Sequence, residues 1–178
     1  MNGWLLDTDI VSELRKRRPD RRVKAWADAQ PAHLLFLSSV TLAEIRYGIA
    51  LQTDLSFRSE LEHWLENHLR PWFADRILPI DEDVILEWRN MVARGKAKGM
   101  TFSQPDLFIA ATARLHSLTV CTRNSGAFVE TGAPVFNPWS GRTAGAAPSA
   151  RPGSDPACAP ASGPLGCAPS PGVRSSVG

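Results

Sequence analysis

The chain has 178 residues, of which 43% are hydrophobic and 21% charged, a composition typical of one globular domain with a hydrophobic core. The 20 basic residues nearly balance the 18 acidic ones, and there are only three cysteines. These values exclude a collagen, a coiled-coil rod, a mostly disordered chain and a disulfide-stapled miniprotein. The sequence has no apolar run close to the roughly 20 residues of a membrane span. Its first seven residues lack the basic start of a signal peptide. We therefore expect a cytoplasmic protein that does not bind membranes.

Short apolar runs in the first 140 residues alternate with segments of helical periodicity. The predicted strands are residues 4–6, 34–37, 77–78, 118–121 and 134–136. Apolar residues recur at helical spacing between these strands, around residues 10–14, 42–49, 61–69, 84–92 and 107–113. Short strands that alternate with helices predict an α/β domain with a short central parallel sheet.

The composition changes sharply after Ser140. Residues 141–178 contain 7 of the 14 prolines, 7 of the 13 glycines and no aromatic residue. Such a segment buries too little apolar surface to offset the conformational entropy that it would lose on folding. We therefore predict a domain over residues 1–140 and a disordered tail over residues 141–178.

Three acidic residues are placed to meet at one edge of the predicted sheet. Asp7 follows the first strand, Glu44 lies early in the helix after the second strand, and Asp106 opens the helix before the fourth. Binding sites in open α/β sheets form at the carboxyl ends of the strands. Each acid alone is also explained as a helix cap, since Thr41-x-x-Glu44 matches a capping box. Together, however, three acids repel one another unless a cation is present, and a hard divalent ion such as Mg²⁺ suits oxygen ligands.

Four collinear segments carry a resemblance to a known family: residues 5–14, residues 39–48, residues 105–113, and Thr122-Arg123-Asn124 followed by Phe128. They resemble the four motifs of PIN-domain ribonucleases, in particular the toxin halves of VapBC-type toxin–antitoxin pairs. The similarity extends over about residues 4–139. It implies a PIN-like three-layer α/β/α fold and a metal-dependent endoribonuclease that is the toxin component of a type II toxin–antitoxin system.

The resemblance also implies the site. Asp7, Glu44 and Asp106 are expected around a Mg²⁺ ion, with Mn²⁺ as the alternative, and we assign Asp7 and Asp106 as the metal ligands. Thr122 and Asn124 complete the predicted catalytic set. The implied partners are an RNA substrate and a cognate antitoxin. Because the predicted helix over residues 54–72 carries many apolar positions, a homodimer through helical faces is also expected.

The fourth motif departs from the family pattern. An aspartate usually precedes the phenylalanine of this motif, whereas this chain has Ala127. The residue after Thr-Arg is an acid in some family members and is Asn124 here. The neutral fourth position weakens the case for a second metal ion. It also leaves open an alternative function, a catalytically weakened PIN-fold module that binds an antitoxin.

A less favoured alternative comes from the first motif. The segment from Asp7 to Val11 also fits the D-x-D-x-[TV] pattern of haloacid-dehalogenase-like phosphatases, in which Asp7 would be the nucleophile and Asp9 the acid/base. That fold needs a downstream pair of metal-binding acids. Only Asp106 stands at a suitable place in this sequence, which argues against a phosphatase.

A basic cluster follows the first motif, with seven positive charges in ten residues between Arg15 and Lys24. One interpretation is a solvated helix end whose cations suit the helix dipole. The other is a patch that binds RNA phosphates, because basic clusters supply sequence-independent affinity for nucleic acids. The residues assigned to this patch are Arg15, Arg17, Arg18, Arg21 and Arg22.

Overall fold

The computed structural model describes residues 3–97, 99 and 103–145. The elements in chain order are β1 (Trp4–Leu6), α1 (Thr8–Arg15), α2 (Arg21–Asp28), β2 (Leu35–Ser38), α3 (Ser39–Ala50), α4 (Leu55–Trp64), α5 (Arg70–Trp72), β3 (Ile77–Leu78), α6 (Glu82–Ala97), α7 (Gln104–Leu115), β4 (Thr119–Cys121), α8 (Ser125–Val129), β5 (Val135–Asn137) and β6 (Arg142–Ala144). Short 3₁₀ turns precede β2 and β3, and a π-helical turn over Leu65–Leu69 joins α4 to α5. No helix in these described ranges is long and apolar enough to cross a membrane.

The strands form one six-stranded sheet in the order β3-β2-β1-β4-β5-β6. The first five strands in the chain pair in parallel, as their alternation with helices predicts. The sheet is nevertheless mixed, because β6 pairs antiparallel with β5 in the register Asn137↔Arg142. The predicted parallel sheet is therefore confirmed for β1 to β5 and extended by one antiparallel edge strand.

Regular structure continues beyond the predicted boundary at residue 140. Gly141 adopts a left-handed backbone conformation (φ 68°) and its amide donates to the carbonyl of Asn137 over 2.8 Å, which reverses the chain into β6. The sequence does not predict β6, because Arg142, Thr143 and Ala144 lack an apolar alternation and lie on the sheet's edge. The rest of the predicted tail, residues 146–178, lies outside the described residues.

Helices cover both faces of the sheet, which gives the three-layer α/β/α arrangement that the family resemblance implies. Successive residues of β1 point to opposite faces, so that Leu6 packs among residues of α1, α3 and α4, whereas Leu5 packs among residues of α6, α7 and α8. Both leucines are fully buried. Full burial of such a side chain contributes about 1.5–3 kcal/mol relative to its exposure. Two apolar layers therefore hold β1 at the centre of the domain.

The central position of β1 determines where polar side chains meet. The amide of Asp7 donates to the carbonyl of Cys121 over 3.0 Å, so that β1 and β4 end at the same level. Helix α1 begins directly after β1, and α3 directly after β2. The carboxyl edge of the sheet therefore collects residues from the first turns of helices and from the loop after β4.

Candidate active site

A cleft of about 470 Å³ opens at this edge of the sheet. It is lined by Asp7, Thr8, Asp9, Glu44, Tyr47, Gly48, Asp106 and Asn124. The three acids that the sequence analysis selected therefore share one cleft with Asn124. Thr122 lies behind them, fully buried, and contacts Asp7. The predicted catalytic residues are thus brought together by the fold.

Asp7 is held by two hydrogen bonds at the end of β1. Its Oδ1 accepts the amide proton of Thr8 (2.8 Å) and its Oδ2 accepts the hydroxyl proton of Thr122 (2.7 Å). Asp7 is also the N-cap of α1, so it does cap a helix as well as line the cleft. Burial raises the pKa of Asp7 above its ordinary value, and the two hydrogen bonds lower it in part. Its carboxylate is therefore oriented but only partly stabilised as an anion.

Glu44 and Asp106 face Asp7 from two other helices. Glu44 Oε2 accepts a hydrogen bond from the Thr8 hydroxyl at 2.5 Å. Burial raises the pKa of Glu44, and the charges of Asp7 and Asp106 raise it further. Burial and then the charge of Asp7 likewise raise the pKa of Asp106. The three carboxyl groups are therefore close enough to repel one another in the described structure.

The predicted capping box at Glu44 is wrong. The N-cap of α3 is Ser38, whose hydroxyl accepts the amide proton of Thr41 over 3.0 Å. Thr41 is buried, and its own hydroxyl donates to the carbonyl of Leu6. Glu44 is thus not needed to cap α3, and its side chain lies in the cleft. This placement removes the structural explanation that the sequence allowed for Glu44.

Asp9 is a cleft residue that the nuclease interpretation of the sequence missed. Its Oδ2 accepts the amide proton of Arg123 (2.7 Å) and lies 3.3 Å from Thr122 Oγ1. Its Oδ1 is buried without a hydrogen-bond partner in the described part of the chain. Burial, followed by the charge of Asp7, raises the pKa of Asp9 to about 6. The sequence signal for Asp9 is the Asp7-x-Asp9 spacing, which also matches the phosphatase pattern.

The loop after β4 is fixed on both sides. The guanidinium of Arg123 lies 4.1 Å from the centre of the Trp139 ring and its Nη2 lies 3.4 Å from Glu13. Glu13 is only 6% exposed and also binds Lys16 Nζ at 2.6 Å. The backbone amide of Asn124 donates to Thr122 Oγ1 over 3.1 Å. This network places Asn124 at the rim of the cleft.

The predicted basic patch lies at the far end of α1. Because the eight residues of α1 span about 12 Å, the patch begins one helix length from the acids. Arg15 pairs with Glu60 (3.1 Å) and lies over the rings of Phe57 and Trp64. Arg22 donates to the carbonyl of Trp139 (2.8 Å). The exposed members of the patch are Arg17, Arg18, Arg21 and Arg22.

The oxygen-rich cleft suits a hard divalent ion, although its acids are not arranged as a tight chelate. Within residues 3–97, 99 and 103–145, no group of three or more acidic, histidine or cysteine side chains is close enough to hold a metal ion. Mg²⁺, however, needs only one or two direct carboxylates and keeps several waters. The mutually raised carboxyl pKa values and the unpartnered Asp9 Oδ1 are both features that a cation would relieve. The residues present therefore fit such an ion.

The geometry argues against the phosphatase alternative. Asp106 is the only acid in the first turn of α7. The first turn of α7 therefore lacks the second metal-binding acid that the phosphatase mechanism requires.

Comparison with known proteins agrees with this geometry. The chain matches the PIN domain family over residues 4–133. It is 42% identical to the toxin FitB of Neisseria gonorrhoeae over 135 residues, which cover 76% of this chain and 97% of that protein. It is 39% identical to the VapC ribonuclease Y4jK of Sinorhizobium fredii, with 76% and 96% of the two chains covered. The crystal structure of FitAcB from Neisseria gonorrhoeae aligns with a TM-score of 0.73 at 41% identity, and the alignment covers 76% of this chain and 98% of that one. The chain belongs to the PIN domain family.

Proposed function

We propose that this protein is a Mg²⁺-dependent endoribonuclease and the toxin component of a type II toxin–antitoxin pair. The observation that carries the proposal is the convergence of Asp7, Glu44 and Asp106 in one cleft of a PIN domain. Relatives that align with this chain over nearly their whole length are named as a toxin and as a VapC ribonuclease, which supports both parts of the proposal. A cytoplasmic location, where RNA is accessible, belongs to the same proposal.

The proposed chemistry is hydrolysis of an RNA phosphodiester. Asp7 and Asp106 would hold Mg²⁺, or Mn²⁺ in its place, and the ion when bound lowers the pKa of a water and neutralises charge on the phosphate. Thr122 orients Asp7 through its 2.7 Å hydrogen bond. Thr8 engages Glu44 Oε2, so that Oε1 is the oxygen left to accept a proton from a water in the cleft. Asn124 supplies a neutral amide that orients a water or a substrate oxygen.

We assign RNA binding to the basic patch, which begins one length of α1 away from the acids of the cleft. Arg17, Arg18, Arg21 and Arg22 are exposed, and Arg15 adds its charge from the end of α1. Phosphate contacts of this kind carry no sequence information but raise affinity for any RNA. Replacing Arg17 and Arg18 by Gln should raise KM and reduce the salt dependence of binding by roughly one unit of slope per lost contact. Arg58→Gln, on the exposed side of α4, is the matched control.

The proposed protein partners are a second copy of the chain and a cognate antitoxin. The end of α3, the start of α4 and the turn between them expose several large apolar side chains: Tyr47, Leu51, Leu55 and Phe57. Leu55 is 77% exposed, which is costly for a surface that stays in water. We assign this patch to the homodimer. Leu55→Glu should shift the chain towards the monomer in light-scattering measurements.

The decisive experiment is cleavage of labelled total RNA by the purified protein in Mg²⁺ and in EDTA. The proposal expects Mg²⁺-dependent fragments that disappear in Asp7→Asn, Glu44→Gln and Asp106→Asn, with the melting curve of each variant still cooperative. Full activity of Asp106→Asn would contradict the metal site. A wild-type chain that binds its antitoxin but cleaves no RNA would instead support the alternative, a catalytically weakened PIN-fold antitoxin-binding module.

A further inference from the structure

Asp9 combines a tethered oxygen with an unpartnered one. Asp9 Oδ2 accepts the amide of Arg123 at 2.7 Å and approaches Thr122 Oγ1 at 3.3 Å. Asp9 Oδ1 is buried without a hydrogen-bond partner among the described residues. The neighbouring amide of Ile10 donates to the carbonyl of Asp7 over 3.1 Å and stabilises the Asp9 carboxylate only weakly. The contact with the loop after β4 therefore accounts for the position of Oδ2. No hydrogen bond among the described residues accounts for the burial of Oδ1.

The tether alone does not require a charge. An amide oxygen accepts a backbone N–H as a carboxylate does, so asparagine at position 9 would hold the loop equally well. The carboxylate instead lies beside Asp7, because both approach the same hydroxyl of Thr122. Two partly buried carboxylates that approach the same hydroxyl group make each other's ionised form less favourable. A second negative group in this position is costly unless a cation offsets it.

The cleft also contains a neutral residue, Asn124, near Asp9. Asn124 lines the same cleft as Asp9. The backbone amide of Asn124 donates to the hydroxyl of Thr122, which Asp7 and Asp9 also approach. Residues 9 and 124 are therefore neighbours across Thr122 and Arg123. A carboxylate from either residue would add its charge to the same end of the cleft.

We propose that Asp9 is a positioning residue of the metal site: its Oδ2 fixes the loop after β4, and the negative charge of its carboxylate strengthens the binding of a divalent ion in the cleft. The inference rests on the proposed metal-dependent function and adds to it a carboxylate that compensates for the neutral residue 124. An ion in the cleft offsets the charge of a carboxylate whose buried Oδ1 has no hydrogen-bond partner among the described residues.

The test is titration of the full-length protein with Mn²⁺ alone, followed by calorimetry, so that the readout is independent of RNA cleavage. Asp9→Asn keeps an acceptor for Arg123 and removes the charge. We expect it to weaken Mn²⁺ binding by roughly 10- to 100-fold. Asp28→Asn removes an acid that pairs with Lys24 on the exposed face of α2, and it should bind Mn²⁺ as the wild type does. If Asp9→Asn does not fold, Asp9→Ser supplies the same comparison, since its hydroxyl also accepts an amide proton.

A charge swap separates the electrostatic role from a role in loop geometry. The double variant Asp9→Asn with Asn124→Asp returns one carboxylate to the same end of the cleft, and we expect it to regain most of the lost Mn²⁺ affinity. Weak binding by Asp9→Asn without recovery in the double variant would assign the effect to the loop and overturn the inference.

Failure of the inference is distinguishable from failure of the proposed function. Equal Mn²⁺ binding by the wild type and Asp9→Asn would overturn the role of Asp9 while the metal-dependent function stood. No Mn²⁺ binding by the wild type would overturn both.

Discussion

Thr8 donates a 2.5 Å hydrogen bond to Glu44 and thereby joins the first turn of α1 to α3 across the cleft. The bond favours the ionised form of Glu44, whereas burial and the neighbouring acids oppose it. The Thr8 hydroxyl therefore lowers the pKa of Glu44 against the larger effect of burial.

Thr8→Val removes this hydrogen bond with little change in volume. We expect the pKa of Glu44 to rise, so that the acidic limb of the pH–rate profile for RNA cleavage moves to higher pH. Loss of such a supporting contact should also lower kcat/KM at neutral pH by roughly tenfold. Thr8→Ser keeps the hydroxyl and should retain the wild-type profile. An unchanged profile in Thr8→Val would show that Glu44 does not take part as an ionised group.

The raised pKa of Asp9 predicts how stability depends on pH. Folded Asp9 keeps its proton up to a pH of about 6, whereas the unfolded chain releases it near the ordinary value of 3.8. The stability that the neutral carboxyl contributes is therefore complete below 3.8 and is lost as the pH rises through about 6. Asp9→Asn stays neutral throughout, so in EDTA at neutral pH it should be more stable than the wild type by up to about 3 kcal/mol.

Urea unfolding of both proteins in EDTA, from acidic to neutral pH, checks this expectation. The difference in free energy of unfolding should vanish at the acidic end and grow towards neutral pH. Saturating Mg²⁺ should reduce it, because the ion stabilises the ionised form. A wild type that is the more stable protein at neutral pH in EDTA would contradict the assigned cost of the charge.

The fourth motif offers two positions for an added acid, and the structure distinguishes them. Asn124 is exposed and lines the cleft, whereas Ala127 packs against the apolar cluster beneath α7 and α8. Asn124→Asp should therefore tighten Mn²⁺ binding by roughly tenfold, since one more charge acts at close range in a partly desolvated site. Ala127→Asp should leave the affinity unchanged and destabilise the fold by about 1–3 kcal/mol, because it places a carboxylate against apolar side chains. Calorimetry of both single variants is the measurement, and tighter binding by Ala127→Asp alone would reverse this assignment.

The parts of the fold that the sequence predicts are those with a strong local pattern. The strands 4–6, 77–78 and 118–121 and the helices behind Asp7, Glu44 and Asp106 follow from apolar periodicity, and the order of the motifs predicts their meeting in one cleft. The edge strand β6 was not predicted, because its pairing depends on a turn at Gly141 and on β5 rather than on its own residues. Edge strands carry a weak signal for this reason.

Contacts between distant segments also limited the prediction of the site. Asp9 is joined to Arg123 across 114 positions in the chain, and Glu13 to the same residue across 110. No local pattern encodes such pairs. The capping box at Glu44 failed for a related reason, because Ser38 at the end of β2 already supplies the cap. Local sequence patterns identified residues that could cap a helix or line the cleft. The packing of the helices determines where each of these side chains lies.

Two truncations test where the domain ends. A chain of residues 1–140 lacks β6, and with it the antiparallel pairing to Val135, Phe136 and Asn137. Loss of these hydrogen bonds from an edge strand should lower the free energy of unfolding by about 1–3 kcal/mol relative to residues 1–145. Residues 1–145 should in turn match the full chain within about 0.5 kcal/mol, because the composition of residues 146–178 offers little surface to bury. Urea unfolding of the three proteins gives these differences directly.

Expression of residues 1–145 should also arrest growth as the full chain does, since every cleft residue is retained. Equal stability of residues 1–140 and 1–145 would show that β6 contributes nothing to the domain, and loss of toxicity in residues 1–145 would assign a role in the proposed function to residues 146–178.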